Sequence, residues 1–256
     1  VKDDKEHIHR RASGEITMTK FDFPGESDEY RRARKELLAA EIALKDQVEH
    51  VAAMRRQLPR GMRVPDYVFR EGPADLSRND PADFSDVRLT NLFTDGHDTL
   101  IVDHMMFGPD DEEPCVMCSM WADGYSAVAP HVMQRASFVL VVKAEIGNLR
   151  RFARQRGWDR IRLLSSHDTP FNRDFGVEHA NGDQDSGLSV FTRTSDGAVY
   201  HRYSVGGELD EYNQRGIDLY SPVWNLLDIT PAGREEWNPD HGYMERHVTP
   251  GPSITR

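Results

Sequence analysis

Between Thr99 and Ser165 three short apolar runs alternate with two helix-length segments, and this alternation limits the possible folds more than any other feature. Thr99 to Phe107 is almost continuously apolar and reads as a strand inside a sheet. Phe138 to Lys143 is a second buried strand, of the Val-rich kind that parallel sheets favour. Arg160 to Ser165 is a third. The segment from Cys115 to about Ala127 reads as a helix. Glu145 to Arg156 is an amphipathic helix with Ile146, Leu149, Phe152 and Ala153 inward, stopped by Gly157. Leu188–Thr194 and Ala198–Ser204 then form a hairpin about Ser195-Asp196-Gly197, with glycine where a tight turn needs positive φ. The order β-α-β-α-β plus a hairpin implies parallel pairing through right-handed crossovers, hence an α/β fold on a central mixed sheet.

The flanks read differently. Residues 1–26 are polar and irregular and are expected to form a mobile arm. From about Asp28 to Gln57 apolar residues (Ala33, Leu37, Ala40, Leu44, Val48, Val51, Met54) recur every three or four positions, which predicts a long helix of about 45 Å. Ser27 is its expected N-cap, and Pro59 with Gly61 ends it. Such a helix can pack across its own domain or against a second copy as a homodimer, and the sequence favours neither. Residues 59–86, rich in Pro, Asp, Arg and Gly with one strand-like island at Tyr67-Val68-Phe69, read as a connector. The expected division is therefore an arm (1–26), a long helix with connector (27–86), an α/β domain (87–236) and a tail (237–256). Trp224, Leu226 and Leu227 are expected to cover an edge.

A formal charge of −11 argues against non-specific binding of nucleic acid or of an anionic membrane. The cluster Arg150, Arg151, Arg154 and Arg156 lies on the polar side of an amphipathic helix and reads as a solvated face. No apolar run has the length of a membrane span, and the first twenty residues hold no apolar signal-peptide core, so a cytoplasmic protein is expected.

Only two cysteines occur among the 256 residues, and both fall in Cys115-Val116-Met117-Cys118. In a reducing compartment such a pair is more often redox-active or metal-binding than structural. It stands where a buried strand has ended and a helix begins. A thiol there meets unpaired N–H groups and the positive end of the dipole, which favour its thiolate. Residues i and i+3 share a helix face, so Cys118 can close a disulfide with Cys115. Cys115 is then the attacking thiol and Cys118 the buried resolving one. The dipole supplies roughly 0.3–1 kcal/mol, less than one pKa unit. The acidic run Asp110-Asp111-Glu112-Glu113 opposes it, so only a modest lowering is expected.

Several stretches together resemble a bacterial family of uncharacterised thioredoxin-like proteins described as dithiol-disulfide oxidoreductases. They include Glu29-Tyr30-Arg31-Arg32-Ala33-Arg34, Val64-Pro65-Asp66-Tyr67-Val68-Phe69, Pro114-Cys115-Val116-Met117-Cys118-Ser119, Arg156-Gly157-Trp158, Phe171-Asn172-Arg173-Asp174-Phe175 and Leu227-Asp228-Ile229-Thr230-Pro231-Ala232-Gly233-Arg234. The resemblance covers roughly residues 28–236. It implies a thioredoxin-like fold in the longer, peroxiredoxin-like arrangement. It also marks Asp103, in Leu100-Ile101-Val102-Asp103, as similar to the buried thioredoxin Asp that relays a proton to the resolving cysteine. A structural or solvated Asp is the plainer alternative. One departure stands out: thioredoxins place a cis-proline just before the strand corresponding to Leu188–Thr194, and here Asp185-Ser186-Gly187 precede it.

Other residues admit two readings. His104 points to the opposite face from Asp103 and reads as a core histidine. Trp121 could shield the dithiol or simply pack. Phe171-Asn172-Arg173-Asp174 could line the site or form a self-bonded loop. The dithiol needs no cofactor, and its partners would be protein or small-molecule disulfides. Two rival functions remain: a zinc site completed by His104, His131 or His167, and a thioredoxin-fold interaction module with idle cysteines. Peroxide reduction at Cys115 is a third, without the Thr-x-x-Cys arrangement of peroxiredoxins.

Overall fold

The computed structural model describes residues 23–94, 96–207, 218–233 and 238–241. The chain divides into two compact units, Val1–Leu58 and Pro59–Arg256. In the first, α1 (Asp28–Gln57) forms as the periodicity predicts. The Ser27 Oγ accepts the Tyr30 N–H at 3.1 Å, satisfying one of the free donors of the first turn. Asp28 and Glu29 stand at its positive end and Arg55 and Arg56 at its negative end. None of its residues is buried.

The second unit contains β1 (Val68–Glu71), β2 (Ser85–Arg88), β3 (Thr99–His104), α2 (Val116–Val132), β4 (Ser137–Val142), α3 (Ile146–Arg156), β5 (Arg162–Ser165), α4 (Phe171–Asp174), β6 (Gly187–Arg193), β7 (Val199–Gly206) and α5 (Pro222–Leu227). The strands form one sheet in the order β2-β1-β5-β4-β3-β6-β7. β3, β4 and β5 are parallel, and every other neighbouring pair is antiparallel. All six residues of β4 are buried, as its unbroken apolar run requires. Phe138, Leu140, Val142 and Leu163 pack on one face with Trp121, Leu149 and Phe152. Leu100, Val102, Val139, Val141, Leu164 and Phe191 pack on the other with Phe69, Leu89, Leu92 and Phe171. A parallel β3-β4-β5 core, an antiparallel hairpin beside β3 and helices in the crossovers make this a thioredoxin-like fold in the peroxiredoxin-like arrangement, accompanied by the long N-terminal helix.

The stretch 59–86 read as a connector supplies β1 and half of β2, and both belong to the main sheet. The expected boundary at residue 87 falls inside β2. These strands are only four residues long, too short to show an alternation. The helix expected to fade near Ala127 runs to Val132, through Pro130. Gly157 does end α3 in the left-handed conformation (φ 75°), and Gly197 turns the β6–β7 hairpin at φ 85°.

The arginine cluster is not uniformly solvated. Arg150 is 2% exposed, and its guanidinium donates to the carbonyl oxygens of Pro73 (2.6 Å), Asp75 (2.9 Å) and Arg78 (2.8 Å) and to Asn79 Oδ1. It thereby fixes the β1–β2 connection onto α3, because one buried guanidinium gathers carbonyls from three points of this loop. Arg156 is held by Asp123 at 2.6 Å. Trp224, expected to cover a sheet edge, packs edge-on against Trp121 of α2 at 5.8 Å, while Leu226 stays exposed. Arg150→Ala removes the donor of the Pro73 and Arg78 carbonyls, while Asp75 keeps the Arg78 N–H, and is expected to lower stability by about 2 kcal/mol in urea unfolding. Arg151→Ala, one residue on and exposed, is expected to change it by no more than about 0.5 kcal/mol.

Candidate functional site

Cys115 is the N-cap of α2, in an extended backbone conformation, with the helix starting at Val116. Its N–H donates to the Met106 carbonyl at 3.0 Å, which ties the helix start to the end of the β3 segment. Asp111 Oδ2 accepts the Gly108 N–H at 2.6 Å and folds the intervening acidic loop back on itself. The Cys118 N–H points at Cys115 Sγ, 3.5 Å away. Cys118 is 3% exposed, whereas Cys115 is half-buried, and both are free thiols. Cys115, expected to be exposed, is half-buried, yet it is the more accessible of the two.

The electrostatics depart from the sequence estimate. The Cys115 thiol is lowered to about 6, chiefly by a hydrogen bond from the Cys118 thiol. Burial opposes this, and the N–H groups of Cys118 and Met117 and the charge of His241 add to it. The sequence displays the dipole and the acidic run but not the contact with the neighbouring thiol. Cys118 is pushed up, by its hydrogen bond to Cys115, by burial and by the negative charges of Cys115 and Asp103. The two shifts run in opposite directions, favouring the thiolate at Cys115 and the thiol at Cys118.

Asp103 is buried at 4% exposure, not solvated, and its Oδ2 has no hydrogen-bond partner among the described residues. Burial raises its carboxyl to about 8. Met105, two residues on in the same strand direction, packs in the core with Cys118, which places Asp103 on the dithiol side of the sheet. His104 lies on the opposite face, stacked on Phe171 at 5.5 Å. It is a core histidine only half satisfied: Nε2 bonds the Ser189 Oγ at 2.8 Å, and Nδ1 has no partner. Burial lowers it to about 3. Trp121 is part of the core beside Cys118.

Phe171-Asn172-Arg173-Asp174 forms the short α4 instead of a loop. Asn172 accepts from the Ser166 hydroxyl (2.6 Å) and donates to Gln184 Oε1 (2.8 Å), and Asp174 accepts the Tyr67 hydroxyl (2.6 Å). The segment's side chains are thus bonded to Ser166, Gln184 and Tyr67 and not to one another, and Gln184 connects it with the site. Gln184 lines a groove of about 800 Å³ into which Cys115 opens, together with Met106, Val116, Lys143 and several carboxylates. Lys143 is paired there with Glu178 at 3.0 Å. No group of three or more His, Cys, Asp or Glu side chains among the described residues is arranged to hold a metal ion. No helix among them is long and apolar enough to cross a membrane.

The sequence reading missed His241. Its Nδ1 lies 2.8 Å from Glu113 Oε2 and its Nε2 lies 3.3 Å from Ser119 Oγ, while its ring packs on Phe152. Contacts across more than a hundred residues leave no local signal in the sequence.

With a dithiol at a helix start on this sheet, the class is defined by the fold and the cysteine pair. The chain belongs to the bacterial protein family of unknown function DUF899, whose family model matches residues 21–249. No curated protein matches it. Among solved structures it is similar to a reduced 2-Cys peroxiredoxin of Plasmodium vivax, with 14% identity and a TM-score of 0.42 over 63% of this chain and 95% of that one. AhpC of Mycobacterium bovis gives 14% and 0.42 over 71% and 98%. Thioredoxin peroxidase I of Plasmodium yoelii gives 10% and 0.43 over 77% and 99%.

The Asp103 carboxyl gives a stability prediction. Unfolded, it ionises above its ordinary value of 3.8; folded, it keeps its proton up to about 8. The native state therefore loses stability as pH rises between these values, and no further above them. Asp103→Asn is expected to be more stable than the wild type at pH 8 by about 2 kcal/mol or more, with the gap closing by pH 4. Urea midpoints across that range measure it.

Proposed function

We propose that this protein is a thiol-disulfide oxidoreductase in which Cys115 attacks and Cys118 resolves. The observation that carries this reading is the asymmetry of the pair. An accessible, thiolate-favouring Cys115 opens on a groove, and a buried, protonated Cys118 stands behind it.

The chemistry balances without a cofactor. The Cys115 thiolate attacks one sulfur of a protein or small-molecule disulfide, breaking its S–S bond and releasing a thiolate that takes a proton from solvent. A mixed disulfide remains. Cys118 gives its proton to the Asp103 carboxylate and attacks Cys115 Sγ. The bond from Cys115 to substrate breaks, the second thiolate leaves and takes a proton from solvent, Asp103 releases its proton to solvent, and a Cys115–Cys118 disulfide remains. The substrate disulfide is reduced to two thiols and the dithiol is oxidised. A carboxyl at about 8 has little base form at pH 6, so the resolving step gains rate as pH rises towards 8.

The test is thiol alkylation across a series of redox buffers, read by mass. The wild type is expected to interconvert reversibly between a form that takes two labels and one that takes none. With an aryl disulfide, Cys115→Ser is expected to lose turnover and Cys118→Ser to accumulate the mixed disulfide. Failure of the pair to oxidise in any buffer sinks the proposal. The rival interaction module draws support from the exposed apolar side chains of α1, Leu37, Leu44, Val48 and Met54. Under that reading Cys115→Ser leaves binding and function intact.

A further inference from the structure

The hydrogen bonds around His241 fix more than its position. The Ser119 Oγ donates its only hydrogen to the Cys115 carbonyl at 2.9 Å. It can therefore only accept from His241, so Nε2, 3.3 Å away, carries a hydrogen. Glu113 as a carboxylate is an acceptor only, so Nδ1, 2.8 Å from Oε2, carries one too. Both nitrogens donate at once only in the imidazolium form, so the pairing with Glu113 and Ser119 is complete when His241 carries the positive charge. The pairing sets the ring against the first turn of α2, on the residue one position beyond Cys118.

Taking the oxidoreductase reading as its basis, we propose that His241, held by Glu113, is a positioning residue that supplies positive charge to the Cys115 thiolate. Among the described residues, the other cations near the groove are already paired. Lys143 is paired with Glu178 and His179 with Asp185 at 3.3 Å. On α3 the ring of His241 meets Phe152, and Arg156 beyond that ring is bound to Asp123. Asp111 is turned to the Gly108 N–H. The positive charge of His241 is among the causes that lower the Cys115 thiol. Glu113 belongs to the acidic run that the sequence suggests should oppose the thiolate. Through His241 its effect is reversed.

That reversal is the test. The rate of Cys115 alkylation by iodoacetamide is followed from pH 5 to 9 in wild type, His241→Gln, Glu113→Gln and the double variant. His241→Gln is expected to move the profile to higher pH and to slow alkylation at pH 6 by about two- to tenfold, the effect of a shift of up to about one unit. A bare carboxylate near a thiolate would make Glu113→Gln faster at pH 6. Acting through His241, it makes Glu113→Gln slower. The double variant is expected to match His241→Gln alone, since the two residues act as one unit. His241→Lys, which keeps a cation, is expected to restore much of the rate. An unmoved profile in His241→Gln, or a faster Glu113→Gln, overturns the proposal. The redox-buffer experiment reads separately. If the dithiol cycles while His241→Gln is silent, only the positioning role is lost; if His241→Gln shifts the profile but no disulfide forms, the oxidoreductase reading is what fails.

Discussion

β3 lies between a parallel neighbour, β4, and an antiparallel one, β6, and both of its faces are covered by core, so neither its register nor the direction of its side chains has freedom. A one-residue slip would exchange Leu100 and Val102 with Ile101 and Asp103 and put a carboxyl among the aromatics of the other face. The chain leaves this strand with the Met106 carbonyl taking the Cys115 N–H, so the strand fixes where α2 begins. The placement of Cys115 as a cap, of Cys118 one turn inward, and of Asp103 on the face beneath them all follow from that pairing.

Within this frame the size of each electrostatic effect decides the character of the dithiol. A helix dipole supplies less than about one pKa unit, whereas the Cys115 thiol stands near 6 against an ordinary value of 9.0. The larger contribution is the hydrogen bond from Cys118, which prevails over burial acting in the opposite sense. The same contact raises Cys118, so a single interaction moves two chemically identical thiols in opposite directions. The acidic loop before Cys115, which sequence reasoning sets against the thiolate, spends Asp111 on Gly108 and Glu113 on His241.

What could be read from the sequence was what local pattern encodes. The unbroken apolar run of β4, the i, i+3 spacing of the cysteines, the cap at Ser27, the left-handed stop at Gly157 and the turn at Gly197 each depend on a few adjacent residues. What could not be read depends on partners far along the chain. Arg150 looked solvated because its acceptors are backbone carbonyls at residues 73, 75 and 78, which no side-chain pattern displays. β1 and β2 looked like a connector because each is four residues long and its pairing partner is supplied elsewhere. His241 meets Ser119 and Glu113 across more than a hundred residues. Asp103 was singled out by resemblance, but its burial follows from the packing above β3.

The central strand thus carries two adjacent ionisable groups, both kept neutral by burial, and their costs run in opposite directions with pH. His104, depressed to about 3, makes the native state lose stability as pH falls from 6.5, because only the unfolded chain takes the proton. Asp103, raised to about 8, makes it lose stability as pH rises from 3.8. Between those limits the two slopes largely cancel. His104 recovers part of its cost through Ser189 and its stacking on Phe171. Asp103 has no such return, since its Oδ2 is unpartnered and an apolar side chain of similar size would serve the core better. On the proposed chemistry, the group that gains from it is Cys118. A nearby base that titrates close to neutrality can accept the proton of a thiol whose own ionisation burial has suppressed, and that exchange gives a physical reason for a carboxyl at a position where folding alone disfavours one.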